Sequence, residues 1–360
     1  MDATDKVESV LAKLASGFAS DSITQRESIT PLQLKSMLAA TGAASIGLKL
    51  AADQDSSGLL AMSGFIRKLS MQLPAAGVAM CMHQHVVLAC ARHAALFPSA
   101  TTTMLIDRVR THDALVSSAF AEGIPGSDIF RPSVSLQTGL DRATVNGHKQ
   151  PCTLSSIADY HVVSGANAAG ELQLAMIPSK TPGVSSEPFF RIVPLAACDS
   201  NRLVLRNVEI ENDLVSTLSG QALTPALSYG MCVFSMFIAS AYSGVVDALI
   251  ERIPPRVSSD QAVRNEITGF HLTTATLVGL MVELCFSADQ DEASVAQVLS
   301  LRYEVEQVID RTLRFLFVRL GGIAVMSNPD LLLLHNIAQL MKYHPVSRHQ
   351  FLIDASSRGV

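Results

Sequence analysis

Tryptophan is absent from this 360-residue chain and charge is scarce, with Asp, Glu, Lys and Arg at 16% against 48% hydrophobic residues. So little charge on so much apolar material excludes a disordered chain and demands a heavily buried core. Dense Lys/Arg runs are missing, and a net charge of −5 offers no broad electrostatic footprint for nucleic acid. The six cysteines, at 81, 90, 152, 198, 232 and 285, include no CxxC pair. That spacing argues against a zinc or disulfide framework and for a reduced, cytoplasmic setting. The opening MDATDKVESV carries neither the basic end nor the apolar core of a signal peptide. No Gly-x-Ser-x-Gly elbow, Gly-Lys-Ser/Thr phosphate loop or dinucleotide fingerprint occurs anywhere in the chain.

What is present begins with one long uncharged stretch, Leu214 to Val246. It is long enough to cross a bilayer, for which about 20 apolar residues suffice. Ser, Thr, Gln, Tyr and Pro dilute it, and no Lys/Arg cluster flanks it, so a fully buried helix in a bundle is the expected form and no membrane partner is expected.

The chain divides by texture into three regions of an α+β protein. Residues 1–112 read as helical: Val7, Val10, Leu11, Leu14 and Phe18 recur at helical spacing, and Thr30-Pro31 is a cap followed by a first-turn proline. Residues 113–213 hold short β-branched runs broken by turn signals, which predicts an antiparallel β domain. Within it, Asn146-Gly147 predicts a tight turn, and GANAAG predicts a second hairpin. Residues 214–360 return to long helices, one of them opening on Ser258 and Gln261 at capping-box spacing.

Several segments in this order carry a family resemblance. AFAEGIPGSD, near Phe120 to Asp128, is followed by ATVNGHKQPCTLSSIADYHVV, by FRIVPLAACDSNRLVLRNVEIENDLV and, after a long helix, by Gly321-Gly322. From about Leu59 to the end, this series resembles the acyl-CoA dehydrogenase superfamily of flavoproteins. The resemblance implies a helical domain, a β domain and a C-terminal four-helix bundle, assembled as a homodimer or homotetramer. It also implies FAD, with FMN or a lost flavin as alternatives, and a small-molecule substrate that could be an acyl-CoA. By the same resemblance the Phe120 and Ala121 backbone meets the flavin pyrimidine edge, Gly126 and Ser127 approach the pyrophosphate, and Cys152 and Thr153 lie by N5. Taken as residues alone, Gly123 and Pro125-Gly126 could equally be a plain corner in the chain.

The sequence also departs from that family. Ala121 stands where relatives carry Thr, Pro151 where they often carry an aromatic, and Val318 where a Gln is expected. RIPPRVSSDQAV keeps Arg252, Arg256 and Gln261 for a flavin bound across a subunit interface but lacks the family's Phe-Gly. Lost donors of this kind would suit a flavin-free binding or partner subunit, a third reading beside two enzymatic ones. In the first enzymatic reading a Glu removes an α-proton from an acyl thioester, yet no acid lies between Asp330 and Asp354. Glu251, Glu266 and Glu283 then stand as open candidates on earlier helices. In the second, His344 is the catalytic group of a flavin-dependent monooxygenase, imidazole being able to take or give a proton near neutrality. The ordinary alternative for His344 is a helix-end residue ahead of Pro345. His83 and His85, two apart on a helix, face different sides and so make a poor metal pair even with His93 nearby. Met71, Met80 and Met82 read as core filler.

Overall fold

The computed structural model describes residues 3–18, 22–50, 56–124, 131–190, 194–286 and 291–357. Seven helices come first: α1 (Ala3–Ser16), α2 (Ile23–Arg26), α3 (Pro31–Thr41), α4 (Ile46–Leu50), α5 (Ser56–Gln72), α6 (Pro74–Arg92) and α7 (Ser99–His112). Thr30 caps α3 as the sequence predicts, its hydroxyl accepting from the Gln33 amide while the Gln33 side chain returns to the Thr30 amide. A carboxylate from far along the chain serves α2 in the same way. Asp330 accepts from the Ile23 and Thr24 amides at 2.8 and 2.9 Å and from Arg252 at 3.1 Å. Burial alone would raise the Asp330 carboxyl; the Thr24 hydroxyl, the Thr24 and Ile23 amides and the Ser22 hydroxyl outweigh it and hold it at about 2.

The β region comprises β1 (Val116–Ala119), β2 (Ser135–Thr138), β3 (Arg142–Cys152), β4 (Tyr160–Ala166), β5 (Leu172–Pro178), β6 (Val184–Glu187), β7 (Asn201–Glu211) and β8 (Val215–Ser219). They form one sheet in the order β6-β7-β3-β2-β4-β5-β8, with β1 added on β4. Most pairs are antiparallel, but β1 and β2 both run parallel to β4, so the sheet is mixed rather than antiparallel throughout. GANAAG makes the predicted hairpin between β4 and β5. Asn146-Gly147 does not turn the chain: it is a bulge inside β3, where Asn146 Oδ1 accepts from the Asn207 amide at 2.7 Å and β7 continues alongside. β8 also carries the sheet past the composition change at residue 213.

The remaining helices are α8 (Thr224–Ile250), α9 (Pro255–Ser258), α10 (Gln261–Cys285), α11 (Glu292–Met326), α12 (Pro329–Gln339) and α13 (Arg348–Ser357). Asp260, not Ser258, caps α10, its carboxylate accepting from the Ala262 amide. The uncharged stretch Leu214–Val246 is not one helix: it supplies β8 and a short 3-10 turn before α8 takes its remainder from Thr224 on, and 89% of the most apolar window here is buried inside the protein. By length and composition α6, α8 and α10 could each cross a membrane, yet only 28% of the α10 window is buried. Glycines set the spacing around α8: a Cβ at Gly244 would lie 2.0 Å from the Arg67 carbonyl, and one at Gly77 1.7 Å from Ser70 Oγ. Arg67 of α5 then clasps Asp247 of α8 through two nitrogens, at 2.5 and 2.9 Å. All six cysteines are buried and free of disulfides.

Glu27 is the least comfortable group in this core. One carboxylate oxygen accepts from the Ala75 amide at the start of α6 at 2.8 Å, and the other is buried without a partner. Burial pushes its pKa up to about 7, against the two main-chain amides that lower it. A raised carboxyl binds its proton more tightly in the folded chain, so stability falls as pH rises from the unfolded carboxylate range through 7. Glu27→Gln should therefore stabilise the protein by about 2–4 kcal/mol at alkaline pH and by little under acid conditions. Urea unfolding across that pH range checks this; a gain independent of pH would contradict it.

Candidate active site

The site starts where β1 ends. After Ala119 the chain leaves the sheet through Phe120 and Ala121, both half-buried, and Glu122 turns back inside. Glu122 meets the ammonium of Lys149, from β3, at 2.6 Å and accepts from the Ser133 amide at 2.8 Å. Lys149 is fully enclosed and donates also to Ser164 Oγ at 2.9 Å and the Phe120 carbonyl at 3.4 Å. Burial would raise Glu122, but Lys149 and Ser133 hold it below its ordinary value; burial pulls Lys149 below its own. The Gln150 amide then bonds the Ala121 carbonyl at 2.8 Å. Gly123, at φ +67°, passes so close that a Cβ would stand 2.8 Å from the Gln150 side chain.

Thr153 sits beside this loop, its hydroxyl 2.8 Å from Ser200 Oγ. The segment is built under strain. Leu154, Leu195 and Asp199 all hold left-handed backbones, at φ 62°, 62° and 54°, which costs about 1–3 kcal/mol each. Asp199 offsets that cost by accepting from the Ser156 amide at 2.5 Å and from Asn201 at 2.7 Å. On its other side, Cys198 donates to the Ala75 carbonyl at the head of α6, at 3.1 Å. Residues 195–200 therefore join the Thr153 segment to the helices. Main-chain groups and a neutral hydroxyl, with the acid and base turned inward, fit the uncharged edge of a flavin ring. The Cys152 thiol is buried within the sheet against Ser117, which leaves its main chain alone to meet such an edge.

A cluster of aromatic and imidazole rings lies on the helical side. Tyr242 Oη and His344 Nε2 are 2.7 Å apart, and Phe234 lies between His344 and His85, with ring centroids 6.1 and 5.3 Å from theirs. His85 Nδ1 is 2.9 Å from the Cys81 carbonyl. A carbonyl can only accept, so Nδ1 carries the proton and Nε2 of His85 is a bare acceptor. Tyr242 is fully buried, so its hydroxyl donates to His344 Nε2 and the His344 proton sits on Nδ1, turned away from the tyrosine. Burial drives both imidazoles down, His85 to about 4 and His344 to about 3, the latter helped by the charge of Arg302. The same burial raises the Tyr242 phenol. Two imidazoles that stay neutral down to about pH 4 thus flank one ring, one offering a lone pair and the other an N–H.

The structure separates the remaining candidates. Gly126 and Ser127 lie outside the described residues. Arg252 is taken up by Asp330 and the Ala248 carbonyl, lining a cleft of about 1000 Å3 with Glu8, Arg26 and Lys68 rather than joining the flavin loop. Arg256, Gln261, Gly321 and Gly322 are exposed, and an Arg319–Asp260 ion pair at 3.1 Å draws their helix ends together on the outer face. Gly321 kinks α11 at φ 72°. Among the open carboxylates, Glu251 and Glu283 are exposed and Glu266 is bonded by Thr312 at 2.7 Å; none joins the imidazole cluster. His83 is structural, with Nε2 3.0 Å from the Ala44 carbonyl and Nδ1 accepting from the Val116 amide. No group able to hold a metal occurs among the described residues.

No family model matches the chain. It is 30% identical over 262 residues to isobutylamine N-hydroxylase of Streptomyces viridifaciens, spanning 70% of this chain and 68% of that protein. The fold matches TdsC, a dibenzothiophene monooxygenase of Paenibacillus sp. A11-2 solved with FMN and indole, at TM-score 0.78 and 16% identity, over 99% of this chain and 97% of that one. It also matches butyryl-CoA dehydrogenase of Megasphaera elsdenii at TM-score 0.80 and 12% identity, over 99% and 98% of the two chains.

The buried pair makes an asymmetric prediction. Glu122→Gln strands a desolvated ammonium and should cost about 3–5 kcal/mol. Adding Lys149→Met should restore most of that loss. Chemical denaturation of the single and double variants checks it, and a double variant weaker than the single one would contradict it.

Proposed function

The chain belongs to the acyl-CoA dehydrogenase superfamily of flavin-dependent oxidoreductases, and from that premise we propose that it is a flavin-dependent monooxygenase hydroxylating a small amine. The observation that carries this reading is the pair of neutral imidazoles, His85 and His344, at a site where no described carboxylate joins them. Dehydrogenation of an acyl thioester needs a carboxylate base there. The N-hydroxylase relative supports an amine as substrate.

The chemistry a bound reduced flavin supplies is two-electron reduction of dioxygen, one oxygen atom entering the substrate and the other leaving as water. The protein's share is position and proton handling. Phe234 and its apolar surroundings disfavour an ammonium, so the substrate binds as the free amine. His85 Nε2 accepts one amine N–H and thereby aims the nitrogen lone pair. His344 Nδ1–H is the donor for the departing oxygen, with Tyr242 holding the tautomer. The Phe120–Gly123 loop and Thr153 would hold the ring, and FMN, present in the TdsC structure, is the proposed flavin.

A homodimer or homotetramer is proposed through the outer face of α10 and α11, where Leu272, Val318 and Ile323 stand 66%, 75% and 85% exposed. Pairing there would cover the group formed by Arg256, Gln261 and the Gly321-Gly322 kink. A cytoplasmic setting suits the six free thiols.

Protein supplied with FMN, an NADH-dependent flavin reductase and isobutylamine should yield a hydroxylamine bearing one atom from isotopically heavy dioxygen. His85→Ala and His344→Ala should each lower the yield about 100-fold. Flavin reduction by butyryl-CoA without oxygen, giving the enoyl thioester, would overturn the reading. Protonation removes the acceptor on His85, so kcat at saturating amine should stay level on acidification until near its value of about 4, with no limb near 6.5, while kcat/KM falls as the free amine is depleted. A pH–rate profile with a limb at ordinary imidazole values would contradict that.

A further inference from the structure

His344 lies on the short link between α12 and α13, a poor place for a group that must hold its bearing. α11 grips that link on both sides. Before His344, Asp310 takes Lys342 at 2.7 Å and Gln339 at 3.2 Å. After it, Arg302 donates to the Pro345 carbonyl at 2.7 Å and to the Val346 carbonyl. Tyr303 adds its hydroxyl to the Val346 carbonyl at 2.9 Å and packs on Phe351 with ring centroids 5.3 Å apart.

Arg302 is an unusual element for a mere brace. It is 2% exposed, and its bonds go to two main-chain carbonyls and the Tyr303 phenol at 3.3 Å. Among the described residues no carboxylate forms an ion pair with it. A buried cation hydrogen-bonded only to neutral acceptors, with the Glu306 charge felt but not paired, is costly, and a leucine or methionine would fill the same space without that cost. What the guanidinium adds is a rigid fork that spans two carbonyls at once, and a fixed positive charge beside the imidazole.

We propose that Arg302 is the positioning residue of this site: its fork fixes the two carbonyls that follow His344 and so sets the imidazole against Tyr242. This rests on reading His344 as the proton-handling group. The titratable groups around His344 are Tyr242 from α8, His85 from α6 across Phe234, Arg302 with Tyr303, Glu306 and Asp310 from α11, Lys342 and Tyr343 from the preceding turn, and Arg348 and His349 from α13. Arg302 is the cation whose field bears on His344, and it acts in the same direction as burial.

The test uses histidine-labelled full-length protein, with His344→Gln to assign the His344 signal and thermal unfolding to verify folding. Arg302→Lys keeps the charge and loses the fork. Arg302→Gln loses the charge and keeps one donor. In the lysine variant the His344 Nε2 nitrogen shift should move away from its hydrogen-bonded value while the titration midpoint stays low. In the glutamine variant the midpoint should rise, yet stay below the ordinary imidazole value because burial remains. If both variants keep the wild-type nitrogen shift and midpoint and only melt earlier, Arg302 is a structural brace and the inference is overturned. Should Arg302→Gln fail to fold, the nitrogen shift in Arg302→Lys decides alone. A shift as expected, together with normal hydroxylation by His344→Gln, would instead retire the catalytic reading of His344 and leave the positioning role standing.

Discussion

An ion pair sealed inside the sheet, Glu122 with Lys149, decides where the loop after β1, the proposed flavin loop, runs. The loop leaves β1 as bare main chain, and nothing in its small residues would fix its path. Turning Glu122 inward onto Lys149 fixes it, because a carboxylate and an ammonium at 2.6 Å in an apolar interior have no comparable alternative. The contact sets the Phe120 and Ala121 main chain, and Gly123 then passes against Gln150. Pairs of this kind contribute little net stability over apolar replacements, so its value lies in register rather than in energy. The strained Leu154, Leu195 and Asp199 backbones follow the same logic: cost is accepted where a segment must lie in one place.

On the helical side the organising force is desolvation. Burial pins His85, His344 and Tyr242 in their neutral forms, and hydrogen bonds then assign each imidazole one role. Neither residue has a partner acid among the described residues, in keeping with the proposed reading, which asks for no catalytic carboxylate. Residues 195–200 join the two sides, holding Thr153 through Ser200 and meeting α6 through Cys198, so the Thr153 segment and the helix that carries His85 share one support.

Much of the fold was legible because it is written in local chemistry. Thr30-Pro31, the GANAAG hairpin and the all-round apolar α8 each follow from neighbours in sequence. Asn146-Gly147 misled because a bulge and a turn ask the same of glycine, and only β7, pairing from far away, decides between them. The parallel pairing of β1 was invisible for a like reason. Ser258 lost the α10 cap to Asp260 by two positions, a boundary that side-chain geometry decides. For the candidate site, the missing acid in its segment singled out His344 in the sequence, whereas His85 was set aside as one half of a failed metal pair. The spacing of His83 and His85 did carry the signal: facing opposite sides, one bonds the Ala44 carbonyl and Val116 amide and the other faces Phe234. Arg302 could not be read from sequence, since its meaning depends on carbonyls 43 and 44 residues away.

The central claim is that this chain holds a flavin against two neutral imidazoles despite the donors it has lost. Titrating the purified protein with FMN and with FAD, followed by absorbance and flavin fluorescence, tests it most directly. The account predicts saturable uptake of one flavin per chain, with a perturbed visible band. A protein that stays colourless after separation from millimolar concentrations of either flavin would contradict it and leave a flavin-free partner subunit as the better description.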